Sequence, residues 1–326
     1  MSDFKWVAKE PGAIDSLEIE KFEIERPGPN EIQVKNHAVG VNYIDTYVTT
    51  GAYNIDPYPL TPGVEGAGII TNIGSEITDF SIGDRIGYGG PPLGAYSTIR
   101  NMWPGYAIKI PDGLSFEDAA AIMIAGLTAQ MMVKKVYPVS KGSKVLVHAA
   151  AGSSGDSLVR WSKSLGATVY GTVSSLEKME IARNAGCDHV INYKEKNFAD
   201  EILKINNGFG IDVVYDGIGK DTYEDSFKAL KPTGMFVTFG QASGPLPPID
   251  LSAVPVTFSN FIARPSVFAF NADNKTFNES MNDVFQMIDN KTINPKPGCI
   301  YDLKDAQNAL NDLINRKTTG SVVLKI

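Results

Sequence analysis

The chain has 326 residues, 43% of them hydrophobic and 21% charged, with a net charge of −7 and a pI near 5.1. That length suits two domains with separate cores. The acidic balance argues against nucleic acid or an anionic membrane as the main partner, and no basic run interleaved with aromatics opposes that reading.

The first ten residues, MSDFKWVAKE, carry charges throughout, so no secretory signal is expected there. From Trp6 to about Pro111, short β-like runs (Glu31 to Lys35, Gly68 to Thr71) alternate with glycines and prolines, predicting a strand-rich, loop-rich domain. Ala119 to Val133 is an uncharged apolar run of 15 residues containing Gly126 and Gln130. It reads as a buried helix, too short to span a bilayer. From about Leu114 to Arg264 the texture becomes strand–helix alternation. Apolar runs at 144–148, 167–172, 189–192, 211–215 and 235–239 predict strands, with helices at 155–165, 176–185, 197–206 and 221–230. This spacing implies βαβ units and a doubly wound parallel sheet, an α/β fold. Asn260 to Arg264 adds a candidate edge strand. Beyond Pro265, helices at 277–289 and 303–315 and a strand at 321–326 complete the pattern.

Cys187 and Cys299 are far apart and suggest a cytosolic chain without a disulfide framework. His37, His148 and His189 lie in three separate segments, so no metal site of the usual Cys or Cys/His type can be assembled from them. No metal is expected.

The stretch 147-VHAAAGSSGDSL-158 carries the chemistry. It places Ala150-x-Gly152-x-x-Gly155 between the first strand of the alternation and its first helix, where a dinucleotide pyrophosphate would sit. Gly152 lets backbone approach phosphate, and Gly155 lets the helix pack closely on the strand. A serine-nucleophile elbow would need G-x-S-x-G, and 152-GSSGD-156 fails at its last position. The tip of the second strand, 173-VSSLEK-178, has serines where an NAD site usually carries an acid. Ser174 and Lys178 would suit a 2′-phosphate, giving preference for NADPH. A plainer alternative makes Ser174-x-x-Glu177 a helix capping box with Lys178 on a solvated face.

The stretches 40-GVNYIDTYVTTGAY-53, 62-PGVEGAG-68, 82-IGDRIGY-88, 147-VHAAAG-152, 190-VINY-193, 213-VVYDGIGKDT-222, 239-FGQASG-244 and 264-RPS-266 together resemble the zinc-independent, zeta-crystallin-like quinone oxidoreductases of the medium-chain dehydrogenase/reductase superfamily. Zinc-dependent relatives have a histidine before the glutamate of the second motif; here the residue is Val64. The resemblance implies a GroES-like domain at 1–125 and 265–326, a Rossmann-type NADPH-binding domain at 126–264, and a cytoplasmic homodimer. It places Asn42, Tyr47 and Gln130 at the nicotinamide, and Ser174, Lys178 and Tyr193 at the adenosine phosphate. Phe239, Gly240, Arg264, Pro265 and Ser266 would line the ribose and nicotinamide side, with Arg316 reaching in from the tail. For Tyr193 packing in the core, and for Arg316 a surface charge, are the plain alternatives.

The family run A-A-G-G-V-G-L is replaced here by Ala150 to Asp156 with Ser153, Ser154 and Asp156. The two hydroxyls can donate to phosphate oxygens. Asp156 would have to point away from them. A flat acceptor would meet Asn42, Tyr47 and Tyr53, where a tyrosine either donates a hydrogen bond to the developing oxyanion or only packs. The expected activity is NADPH-dependent quinone reduction, with reduction of 2-alkenal or enone double bonds as the near alternative. An NADPH sensor or a structural protein is the alternative outside enzymes.

Overall fold

The computed structural model describes residues 2–53, 57–249 and 259–326. The chain divides into two compact units. One holds Met1–Leu127, Asn271–Phe285 and Pro295–Ile326; the other holds Thr128–Phe270 and Gln286–Asn294.

In the first unit the chain forms β1 (Phe4–Val7), β2 (Glu18–Lys21), β3 (Ile32–Val41), α1 (Tyr43–Thr50), β4 (Glu65–Ile73), β5 (Arg85–Gly89), β6 (Ile99–Met102) and β7 (Ala107–Lys109). Then α2 (Phe116–Gln130) follows and continues into a π-helical turn at Met131–Val136. The predicted apolar run is therefore part of a 21-residue helical stretch. By length and composition it would pass as a membrane span, but 83% of its apolar window is buried inside the protein, as a core helix should be. Lys134 and Lys135 had hidden its last turn from a reading based on uncharged runs.

The second unit takes in the last turn of α2 and the π-helical turn, and its strands begin with β8 (Lys144–Val147), alternating through α3 (Ser153–Ser164), β9 (Thr168–Val173), α4 (Leu176–Ala185), β10 (His189–Asn192), α5 (Phe198–Ile205), β11 (Ile211–Asp216), α6 (Tyr223–Ala229), β12 (Leu230–Thr238) and β13 (Phe261–Ala263). After these come α7 (Val267–Phe270), α8 (Asn274–Asp289), β14 (Cys299–Asp302), α9 (Ala306–Ile314) and β15 (Val322–Lys325).

The first unit is built on a seven-stranded sheet in the order β14-β15-β3-β4-β5-β7, with β6 also on β3. All its pairs are antiparallel except β14 with β15. Its core gathers Ile32, Val34, Ile70, Ile86, Tyr88, Tyr96 and Leu310 around β3 and β4. The second unit holds a six-stranded sheet, β10-β9-β8-β11-β12-β13, parallel throughout. Strands of such a sheet are covered on both faces and so read as continuous apolar runs; Val145, Leu146, Val147, Val213, Val214 and Tyr215 are all buried. Its strand order reverses beside β8, which makes the turn after β8 the natural ligand-binding crevice.

Candidate functional site

The β8–α3 turn is shaped by close backbone approach. Ala149 adopts a left-handed conformation, φ 51°, and its carbonyl accepts the Gly152 N–H at 2.8 Å. Such a conformation is rare for a residue with a Cβ and is kept only where the surroundings impose it. A Cβ at Gly155 would lie 2.2 Å from the Ala149 carbonyl oxygen, whereas one at Gly152 would lie 3.2 Å away. Gly155 is thus the packing glycine, and Gly152 caps α3 in extended conformation. Half-buried Ser153 and Ser154 sit in the first turn of α3, where the N–H groups of a helix point toward its N-terminal end. The first internal bond of α3 runs from Asp156 N–H to Gly152 O. Asp156 Oδ2 accepts from Arg160 Nε at 2.7 Å, one turn further along α3. The carboxylate also lies near enough to Cys187 to help push that thiol up to about 12, after burial, the larger cause, and Asp188.

Behind the turn lies a buried polar network that the sequence did not suggest. His148 Nε2 meets Ser226 Oγ at 2.9 Å and Nδ1 meets Thr172 Oγ1 at 2.8 Å. Ser226 spends its hydroxyl proton on Thr222 O. His148 therefore donates from Nε2 and accepts at Nδ1, a neutral ring whose pKa burial lowers. Asp216, at the end of β11, accepts from Ile218 N–H (2.6 Å), Gly219 N–H (3.0 Å) and Thr222 Oγ1 (2.7 Å). This holds the glycine loop after β11. Phe239 N–H donates to Asp216 O, and a Cβ at Gly240 would touch Gly217 O, so the end of β12 packs on the same loop.

At the tip of β9 the helix cap is Ser175, whose Oγ accepts the Lys178 N–H at 3.3 Å. The N-cap expected at Ser174 is therefore Ser175, one residue on, and with Lys178 at N3 the reciprocal acid of a capping box is not in place. Lys178 is half-buried. Tyr193 N–H donates to Val173 O at 3.1 Å, which sets Tyr193 beside the β9 tip; its side chain packs partly on the core of the second unit. Arg264, Pro265 and Ser266 follow β13, with Arg264 and Ser266 exposed. Gln130 is buried at the end of α2. In the first unit, Arg316 is exposed just beyond α9 with φ 59°.

The first unit brings Asn42, Tyr47 and Tyr53 together around α1. Asn42 is its N-cap residue and Gly51, φ 77°, closes its C-terminus. Tyr53 N–H then donates to Tyr47 O, with the two rings 5.0 Å apart. Beneath lies a second constellation missed from sequence. Asn42 Nδ2 donates to Glu65 Oε1 (2.5 Å), Ile124 N–H donates to Glu65 Oε2 (2.7 Å), and Asp45 Oδ2 accepts from Asn42 N–H (2.8 Å) and Tyr96 OH (3.0 Å). Burial pushes Asp45 up to about 7 and Glu65 up to about 8. Between the ordinary carboxylate range and these values the folded chain holds protons that the unfolded chain has lost. The stability the two groups contribute is therefore full in acid and lost as pH rises through about 7 to 8. Calorimetric Tm values are expected to fall across that window; a Tm rising from pH 5 to pH 8 would contradict the assignment.

Among the described residues no three His, Cys, Asp or Glu side chains gather as a metal site. Residues 28–112 match the alcohol dehydrogenase GroES-like domain, and residues 155–286 match a family described as zinc-binding dehydrogenase. The chain is 38% identical to a quinone oxidoreductase of Pseudomonas aeruginosa over 96% of both chains. It is 37% identical to a 2-haloacrylate reductase of a Burkholderia species, over 98% of this chain and 97% of that one. The solved structure of Escherichia coli quinone oxidoreductase complexed with NADPH superposes with a TM-score of 0.96 at 35% identity, over 99% of this chain and 100% of that one. Likeness of this extent in sequence and in fold makes the chain a member of the quinone oxidoreductase family of the medium-chain dehydrogenase/reductase superfamily.

Proposed function

We propose that the chain reduces quinones with NADPH. The observation that carries this is the strand–helix turn at the sheet's switch point, fitted by Gly152 and Gly155 to a pyrophosphate, together with a β9 tip bearing Ser174 and Lys178 in place of an acid. Its similarity to an oxidoreductase complexed with NADPH supports the same cofactor here. NADPH supplies a hydride, so the chain's task is positioning rather than acid–base work.

Gly152, Ser153, Ser154 and Gly155 would hold the pyrophosphate at the N-terminus of α3, and Ser174, Lys178 and Tyr193 the adenosine phosphate. Phe239, Gly240, Arg264, Pro265, Ser266, Gln130 and Arg316 would take the ribose and nicotinamide. Asn42 would orient the nicotinamide, and the hydroxyl of Tyr47 or Tyr53 would donate to the acceptor oxygen as charge develops there. The Tyr47–Tyr53 contact holds both rings in place for either role. The domains we assign are 1–125 with 265–326, and 126–264. A cytoplasmic homodimer paired along β13, whose Phe261 and Ile262 are exposed, fits the family; sedimentation as a monomer would contradict it.

The ion pair with Arg160 supports the reading that Asp156 points away from the phosphate, because its charge is met within α3. Asp156→Leu is therefore expected to change the NADPH dissociation constant by less than about threefold, since the charge it removes is already met by Arg160 within the helix. Fluorescence titration showing a much tighter complex would revive the repulsion reading.

The 37% identity to a 2-haloacrylate reductase favours a second reading, reduction of an activated carbon–carbon double bond at the same site. Initial rates with NADPH and 1,4-benzoquinone, 9,10-phenanthrenequinone or a 2-alkenal separate the two. Turnover mainly of quinones supports our proposal; turnover mainly of the alkenal transfers the assignment. NADPH binding without turnover of any acceptor would favour a sensor.

A further inference from the structure

We propose that Glu65 is a positioning residue that fixes the orientation of the Asn42 carboxamide during reduction. The inference rests on the reading that Asn42 acts at the nicotinamide. An asparagine amide has an accepting end and a donating end, and only its partners decide which faces where. The Glu65 carboxyl is locked first. Its Oε2 takes the Ile124 N–H, a group that can only donate. Its Oε1 is thereby directed at Asn42 and takes Nδ2. Gly40 makes this possible, because a Cβ there would lie 2.2 Å from Glu65 Oε1. The Asn42 backbone N–H donates to Asp45, and the capping box turns the Asn42 side-chain oxygen toward the Asp45 N–H, which leaves Nδ2 as the end that Glu65 holds.

Charge state enters through the same atom. An ionised Oε1 only accepts, and so reinforces the orientation set by the capping box; a protonated Oε1 donates and sets its hydrogen against Nδ2, opposing that orientation. The groups that bear on this carboxyl are Asp45 from α1, Tyr96 through Asp45, and Tyr88 from β5, itself under the guanidinium of Arg100 from β6. Burial, the largest influence, holds Glu65 near 8.

Glu65→Gln keeps an oxygen for Ile124 but sets an NH2 against the NH2 of Asn42, forcing the amide over. At about pH 9, where the wild-type Glu65 is ionised, and with saturating NADPH and 1,4-benzoquinone, kcat is expected to fall roughly tenfold or more, as small misplacements at a reacting centre do. KM for NADPH and Tm should change little. Asn42→Ala should lose a similar factor, and the double variant should be no slower than Asn42→Ala. A Glu65→Gln loss as large in the Asn42→Ala background as in wild type would overturn the positioning role alone. Wild-type kcat in Asn42→Ala would overturn the role of Asn42 and this inference with it. On unmodified protein, whose folding is not in question, the Asn42 side-chain amide resonances should titrate near pH 8. Resonances that do not move with pH would equally overturn the proposal.

Discussion

Gly155→Ala is expected to lower NADPH affinity about tenfold or more and to destabilise the unit that carries the turn, since the close helix–strand packing at this glycine is part of the proposed site. The added Cβ would stand 2.2 Å from the Ala149 carbonyl oxygen and 3.0 Å from the Ala150 Cα. Both atoms are backbone, so no rotamer change relieves the clash, and α3 must shift off β8. Leu158, Val159 and Trp161 on the same helix are fully buried, which resists that shift. Overpacking of this kind costs about 1–3 kcal/mol, and the better helix propensity of alanine returns at most about 1 kcal/mol. Gly152→Ala is the informative contrast. Its Cβ would lie 3.2 Å from the same oxygen, so Tm should scarcely move while affinity still falls, because the side chain intrudes where phosphate approaches. Titration of NADPH fluorescence beside calorimetry reads both effects. Wild-type affinity in both variants would remove the pyrophosphate from this turn.

Lys178→Ala is expected to weaken NADPH binding by roughly ten- to a hundredfold while leaving NADH within about threefold, the range for losing one charge-assisted bond to a phosphate. Adding Ser174→Asp should go further, since a carboxylate at the β9 tip repels a 2′-phosphate and suits a ribose diol. The structure sharpens this prediction by giving the cap of α4 to Ser175. Changing Ser174 therefore leaves the helix start intact, and a loss of NADPH affinity reports on the cofactor rather than on unfolding. Equal weakening of NADPH and NADH by Lys178→Ala would return Lys178 to a structural role.

How far the sequence foretold the structure depended on whether the deciding contacts were local. Helix α4 was expected at 176–185 and forms there, because a serine cap and Gly186, φ 111°, mark its two ends within the segment itself. Strand β12 was expected only from 235, yet it begins at Leu230. Its register against β11 shifts between the Ile211–Leu230 and Val213–Met235 pairs, and Pro232, Thr233 (φ 64°) and Gly234 between them read as a turn. The tight turn between β8 and α3 was legible because its parts are contiguous from Val147 to Gly155. The Asn42–Glu65 pair was not, although both residues stood in motifs that drew notice, since only the pairing of β3 with β4 brings the two segments together. His148, Thr172 and Ser226 escaped for the same reason: each looked ordinary in its own segment, and the network spans 78 residues of chain.

NADPH-dependent reduction of quinones is tested most directly by steady-state rates with 1,4-benzoquinone at varied NADPH and NADH. The expected result is turnover with NADPH and a kcat/KM for NADPH at least about tenfold above that for NADH, the worth of one specific phosphate contact. Equal or better use of NADH, or no quinone turnover with either cofactor, would contradict it.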